Sequence, residues 1–142
     1  MTPAAYLASQ VESTAPAMDL TDPAPVNARQ ATRRLIAEAG LSADVGDGLI
    51  GAVSEVVTNA ALHGAPPVRV RGWVQDGRAV VTVSDTGAGP TDPLVGLQPM
   101  PRDPGEGGFG LFLARQMCSE LTMGRHDGGF TVRLEAGARP SG

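Results

Sequence analysis

At 142 residues with 42% hydrophobic side chains, the chain is long enough to bury the core of one domain. A net charge of −4 leaves no basic footprint for direct contact with DNA or RNA. Because all 11 basic residues are arginines, a phosphate-binding lysine of the Walker type is excluded. The single cysteine, Cys118, excludes a disulfide framework or a cysteine metal cluster and reads as a small buried hydrophobe.

In chain order, residues 1–21 mix Thr, Ala, Ser and Pro without a sustained period and read as a loosely ordered arm. No apolar run is long enough to span a bilayer and no charged segment precedes an apolar one. The sequence therefore implies a cytoplasmic protein without a membrane partner. A domain is expected over 22–137, followed by a disordered tail at 138–142. A first helix is expected from Asp22 to Gly40, with Pro25 in its first turn and Val26, Leu35, Ile36 and Ala39 toward one side. After Leu41-Ser42, the series Val45, Leu49, Ala52, Val53, Val56 and Ala60 predicts a longer helix ending at Gly64. Gly46, Gly48 and Gly51 weaken that helix and mark positions of close approach.

Val68, Val70 and Val74 alternate with Arg69, Arg71 and Trp73, and after Asp76-Gly77 the alternation resumes from Arg78 to Asp85, which predicts a β-hairpin. Trp73, on the arginine-bearing face, reads as a partly exposed aromatic. From Thr86 to Gly107 the period is lost among glycines and prolines, as in a lid. Leu111, Ala114, Met117 and Cys118 predict a third helix. Glu120 to Arg125 and Phe130 to Glu135 frame a closing hairpin around His126-Asp127-Gly128-Gly129. The expected architecture is α+β: a two-layer sandwich with a mostly antiparallel sheet, helices on one face and a long lid.

Three features carry chemistry. Glu55 and Asn59 stand one turn apart on the second helix, where a carboxylate and an amide share one ligand or simply a solvated face. Asp85 follows Ala79, Val81 and Val83 on one strand face, so it points to the side of buried valines and needs a fixed donor, unless it caps the following turn. Glycines bracket the long loop: Gly87 and Gly89 at its start, Gly105, Gly107, Gly108 and Gly110 at its end. Such glycines admit close backbone approach to a ligand and, before a helix, free N–H groups for phosphate.

These residues resemble a family. Glu55 to Gly64, ending Asn59-Ala60-Ala61-Leu62-His63-Gly64, resembles the N box of the gyrase, Hsp90, histidine-kinase and MutL superfamily in the form found in anti-sigma-factor serine kinases. Asp85-Thr86-Gly87-Ala88-Gly89 resembles its first glycine box, and Gly105 to Leu111, including Gly108-Phe109-Gly110-Leu111, its second. The resemblance covers roughly Asp22 to Ala136 and implies a Bergerat fold with an ATP lid and bound ATP and Mg²⁺.

Residue by residue, the resemblance implies that Asn59 is the Mg²⁺ ligand, Glu55 the general base and Asp85 the reader of adenine. His63, Gly87, Gly89, Gly105, Gly107, Gly108, Phe109, Gly110 and Leu111 complete the nucleotide site. It implies an anti-sigma regulator that binds a sigma factor, phosphorylates a serine of a STAS-type anti-anti-sigma partner and forms a homodimer. The alternatives are an ATP-sensing protein-binding module without phosphotransfer and the detached ATPase half of a histidine kinase. Two residues depart from the family pattern: Glu106 stands where the kinases carry an arginine, and Phe130 where many carry a threonine that supports the adenine-binding aspartate. Arg102 is the candidate to replace that arginine, and a proline-rich lid short of charge is a third departure.

Overall fold

In a computed structural model of the chain, the described residues are 17–87, 114 and 116–137. Strand β1 (Met18–Thr21) leads to helices α1 (Pro25–Ala39) and α2 (Ala43–His63). Hairpin β2 (Arg69–Gln75) and β3 (Arg78–Asp85) follows, then hairpin β4 (Glu120–His126) and β5 (Gly129–Ala136). The five strands form one antiparallel sheet in the order β1-β2-β3-β5-β4, with both helices on one face, which is the expected α+β sandwich.

Several local expectations are corrected. Residues 18–21 are not part of an arm but form edge strand β1, with Met18 opposite Gly72 and Leu20 opposite Val70. Helix α1 starts three residues later than Asp22, because the Asp22 carboxylate is engaged elsewhere: Oδ1 accepts from the Val68 N–H at 2.7 Å while the Asp22 N–H donates to the Val68 carbonyl. The buried stripe of α1 is Ala28, Thr32 and Leu35, and Val26 is exposed. Gly40, at φ 70°, closes α1 in a Schellman turn, its N–H on Ala37 and that of Leu41 on Ile36.

Ser42 caps α2 by accepting from the Val45 N–H, and Gly46, Leu49, Ala52, Val53, Val56, Val57 and Ala60 face the core; Val45 is exposed. The helix glycines do mark close approach. A methyl group on Gly46 would press on Ile36 of α1, and one on Gly48 would run into the Met117 carbonyl. Of the predicted third helix, Ala114, Gln116 and Met117 are helical, and residues 111–113 and 115 lie outside the described set.

The β2–β3 turn is Asp76-Gly77, both at positive φ, as a two-residue hairpin of type I′ requires. Strand alternation then divides the sheet. Val70, Val81, Val83, Val132 and Leu134 join the helices in one core. The opposite face carries Arg69, Arg71, Trp73, Arg78, Val80, Thr82, Arg133 and Glu135. Trp73 is not partly exposed as the sequence suggests but 1% exposed, with the Arg133 guanidinium 5.7 Å over its ring.

Candidate functional site

The site is built where the C-terminal end of α2 meets the end of β3. Continuing the alternation of Ala79, Val81 and Val83, Asp85 turns toward the helix layer and is buried. Its donors are backbone groups. Oδ1 accepts from Gly87 N–H at 2.7 Å and from Ala65 N–H at 3.2 Å. Both bonds fall on one oxygen, and among the described residues no group donates to Oδ2. The capping role weighed for Asp85 is therefore real, and it is combined with burial on the core side.

Glycine makes this proximity possible. A methyl group on Gly64 would stand 2.5 Å from the Asp85 carboxyl carbon, and one on Gly87 2.8 Å from Oδ1. Gly129, which opens β5 at φ 136°, passes so close that a methyl group there would collide with the Asp85 carbonyl. Thr86 fastens the corner from the other side: its N–H donates to the Ala65 carbonyl at 2.9 Å and its hydroxyl to the Pro66 carbonyl at 2.8 Å. The segment after α2 and the segment after β3 are thus one bonded unit.

Glu55 and Asn59 occupy successive turns of α2, both half-buried, and His63 follows in the last turn, exposed. At 1.5 Å per residue, Asn59 lies about 7 Å and Glu55 about 13 Å along the helix from Gly64. The structure therefore joins Glu55, Asn59 and His63 through one helix to Gly64, Asp85 and Gly87. Gly89, Gly105, Gly107, Gly108, Phe109, Gly110 and Leu111, with Glu106 and Arg102, lie outside the described residues. Phe130 is buried and stands directly across from Asp85 in the β3–β5 register.

Sequence reading missed Ala65, Thr86 and Gly129 as parts of the site. Ala65 and Gly129 act through backbone, for which side-chain chemistry offers no signal. Thr86 was visible only as a member of the glycine box. The glycine pair 128–129 was legible as a turn, and the close approach it permits was not.

The family model for histidine kinase-like ATPase domains matches residues 20–136. The chain belongs to that family. Among solved structures, a Mycobacterium tuberculosis protein comprising RsbU and RsbW domains is similar over 86% of this chain at 24% identity and a TM-score of 0.59. This chain spans 33% of that one. The mycobacterial sensor histidine kinase MprB is similar over 87% of this chain and 99% of its own, at 21% identity and a TM-score of 0.55. Both likenesses show the fold. Comparison with curated proteins finds no match.

For this histidine kinase-like ATPase domain, ATP is the ligand that membership implies, and the residues at the Asp85 corner fit its base: a fixed carboxylate with one oxygen open, lined by glycines a methyl group would close. Among the described residues no group of three or more His, Cys, Asp or Glu is placed to hold a metal. Among the described residues no helix is long and apolar enough to cross a membrane.

Proposed function

We propose that the protein is an ATP-binding anti-sigma regulator that, with Mg²⁺, phosphorylates a serine of a STAS-type anti-anti-sigma partner and so controls capture of a sigma factor. The observation that carries the nucleotide part is Asp85, buried on the helix side with two backbone donors on Oδ1 and Oδ2 left open. In this reading Oδ2 accepts a hydrogen bond from the exocyclic amine of adenine, and Gly64 and Gly87 give the base room. Asn59, an oxygen donor one turn from Glu55, suits a hard cation that keeps most of its water.

Bound Mg²⁺ supplies neutralisation of phosphate charge. Glu55 lies about two and a half helical turns, roughly 13 Å along α2, from Gly64 at the base corner, which sets it toward the phosphate end of the nucleotide. There it receives the proton of the partner's serine hydroxyl as the phosphoryl group moves, while alignment and charge do most of the work. The Asn-Ala-Ala-Leu-His-Gly form of the N box supports serine kinase over histidine kinase chemistry.

The test is calorimetric titration of ATP with and without Mg²⁺, followed by transfer of labelled phosphate to a STAS-type protein. Binding that is lost in Asp85→Asn, and transfer that is lost in Glu55→Ala while binding persists, is the expected result. ATP binding without transfer to any such partner would leave the second reading, an ATP-sensing protein-binding module, which Phe130 opposite Asp85 favours because it removes a supporting hydroxyl.

A further inference from the structure

The turn that closes β4 on β5 is held by one imidazole. Nδ1 of His126 accepts from the Gly128 N–H at 3.2 Å. Nε2 lies 2.7 Å from the Thr131 hydroxyl, which in turn lies 2.8 Å from that of Ser84 on β3. The backbone amide fixes the tautomer. It can only donate, so Nδ1 is bare, the ring proton sits on Nε2, and Nε2–H donates to the Thr131 oxygen. A ring that gains a second proton carries it on Nδ1, where it sets N–H against N–H at Gly128.

What this turn carries is Gly129. At φ 136° it crosses the backbone of Asp85 and Thr86 so closely that a methyl group there would meet the Asp85 carbonyl and stand 2.7 Å from the Thr86 Cα. Asp85 and Thr86 are the residues that tie the corner together through Ala65, Pro66 and Gly87. The ring lies on the opposite side of the sheet from the Asp85 carboxylate, because Ser84 and Thr131 alternate with Asp85 and Phe130 along β3 and β5.

We propose that His126 is a positioning residue for the nucleotide site, effective only as the neutral Nε2–H tautomer, so that protonating it loosens the 126–129 turn behind Asp85 and weakens ATP binding. This role rests on Asp85 being the carboxylate that reads adenine. Among the described residues, the charged groups around the ring come from three places. Its own hairpin brings Asp127 in the turn and Arg125, which pairs with Phe130 and so points to the helix side. Strand β5 brings Arg133, two residues beyond Thr131 on the same face, with Glu135 at 3.4 Å from it. Strand β3 brings the Ser84 hydroxyl on this face and Asp85 on the other. The bonds of the ring itself go to Gly128 and Thr131, which do not titrate.

The ring is tested first without nucleotide. In the wild-type protein near neutral pH, nitrogen-15 shifts of the His126 imidazole should show a bare Nδ1 and a protonated Nε2, and the Gly128 and Gly129 amide resonances should move with the ring as it titrates. MgATP binding is then measured by calorimetry at about pH 7.5 and about pH 5.5, on either side of the ordinary imidazole range and above that of carboxylates. His126→Asn places an amide oxygen where Nδ1 accepts and takes up no proton, while protonation of the nucleotide and of His63 is common to both proteins. Between the two pH values the wild type should lose several-fold more affinity than His126→Asn. His126→Phe, which has no acceptor for Gly128, should bind weakly at both. A protonated Nδ1 at neutral pH, a Gly128 amide that ignores the titration, or parallel pH profiles of wild type and His126→Asn overturns the proposal. The expected tautomer in a protein that binds no ATP would instead overturn the role of Asp85, and the positioning role with it.

Discussion

The two faces of the sheet use alternate residues of the same strands and hold together by different means. On the helix side, Val81, Val83, Val132 and Leu134 meet Leu49, Val53 and Val56, and the energy comes from removing apolar area from water. On the other side Arg78 bridges Glu135 at 3.4 Å and Glu120 at 3.8 Å, while Arg133 contacts Glu135 at 3.4 Å and stacks on Trp73. Ser84, Thr131 and His126 continue that face as a hydroxyl–hydroxyl–imidazole chain with spacings of 2.8 and 2.7 Å. An apolar layer tolerates a charged group only where donors are fixed, and among the described residues Asp85 is the buried carboxylate admitted to it. The lesson is that a single carboxylate on the greasy face is more informative than several charges on the polar one.

Substitutions sharpen this contrast. The largest loss of stability is expected from Leu49→Ala, fully buried on α2, at about 3 kcal/mol, read as a lower urea midpoint with an unchanged slope. On the opposite face, Arg78→Met should cost about 2 kcal/mol in the same assay, because Glu120 and Glu135 lose a mostly buried partner. A Glu135→Gln change in that background should recover part of the loss.

Gly64→Ala tests the boundary between the faces. Gly64 has φ −89°, which alanine accepts, so its effect comes from the methyl group against Asp85. ATP affinity should fall about tenfold, near 1.4 kcal/mol, in a calorimetric titration, and the melting temperature should fall as well, because the methyl group also meets the Ala60 carbonyl. The smallest effect belongs to the sheet edge. The hydrogen bond and charge of Arg69 hold the Asp19 carboxyl below its ordinary pKa, with Arg71 adding to the effect. A depressed folded-state pKa stabilises above the unfolded value and is lost as the pH falls through the folded value. Asp19→Asn should therefore lower the melting temperature slightly at neutral pH and not at all in strong acid, and added salt should shrink the difference because the pair is exposed.

Where a local rule decides the outcome, the fold was legible. Asp76-Gly77 specified the first hairpin, Gly40 and Gly64 marked the helix ends, and alternation alone put Asp85 on the core side and required a fixed donor for it. Strand β1 was not legible: four residues carry too little period, and their partner β2 is some fifty positions away, so only tertiary pairing makes them a strand. Val26 and Val45 were misplaced because each stands in the first turn of its helix, where the apolar stripe has already run past the core. In the candidate site, the spacing of Glu55 and Asn59 was readable, and the backbone donors at Ala65 and Gly87 were not, since any residue but proline carries an N–H.

The bonds that tie Thr86 to Ala65 and Pro66 join two segments some twenty residues apart. An opening that frees the Ala65 amide must also release a carboxylate oxygen of Asp85 and a carbonyl held by Thr86. Amide protons of Ala65, Thr86 and Gly87 should then exchange with deuterium as one cooperative set rather than as the frayed ends of separate elements. A ligand gripping Asp85 would slow all three together and, through the same knot, quiet the last turn of α2.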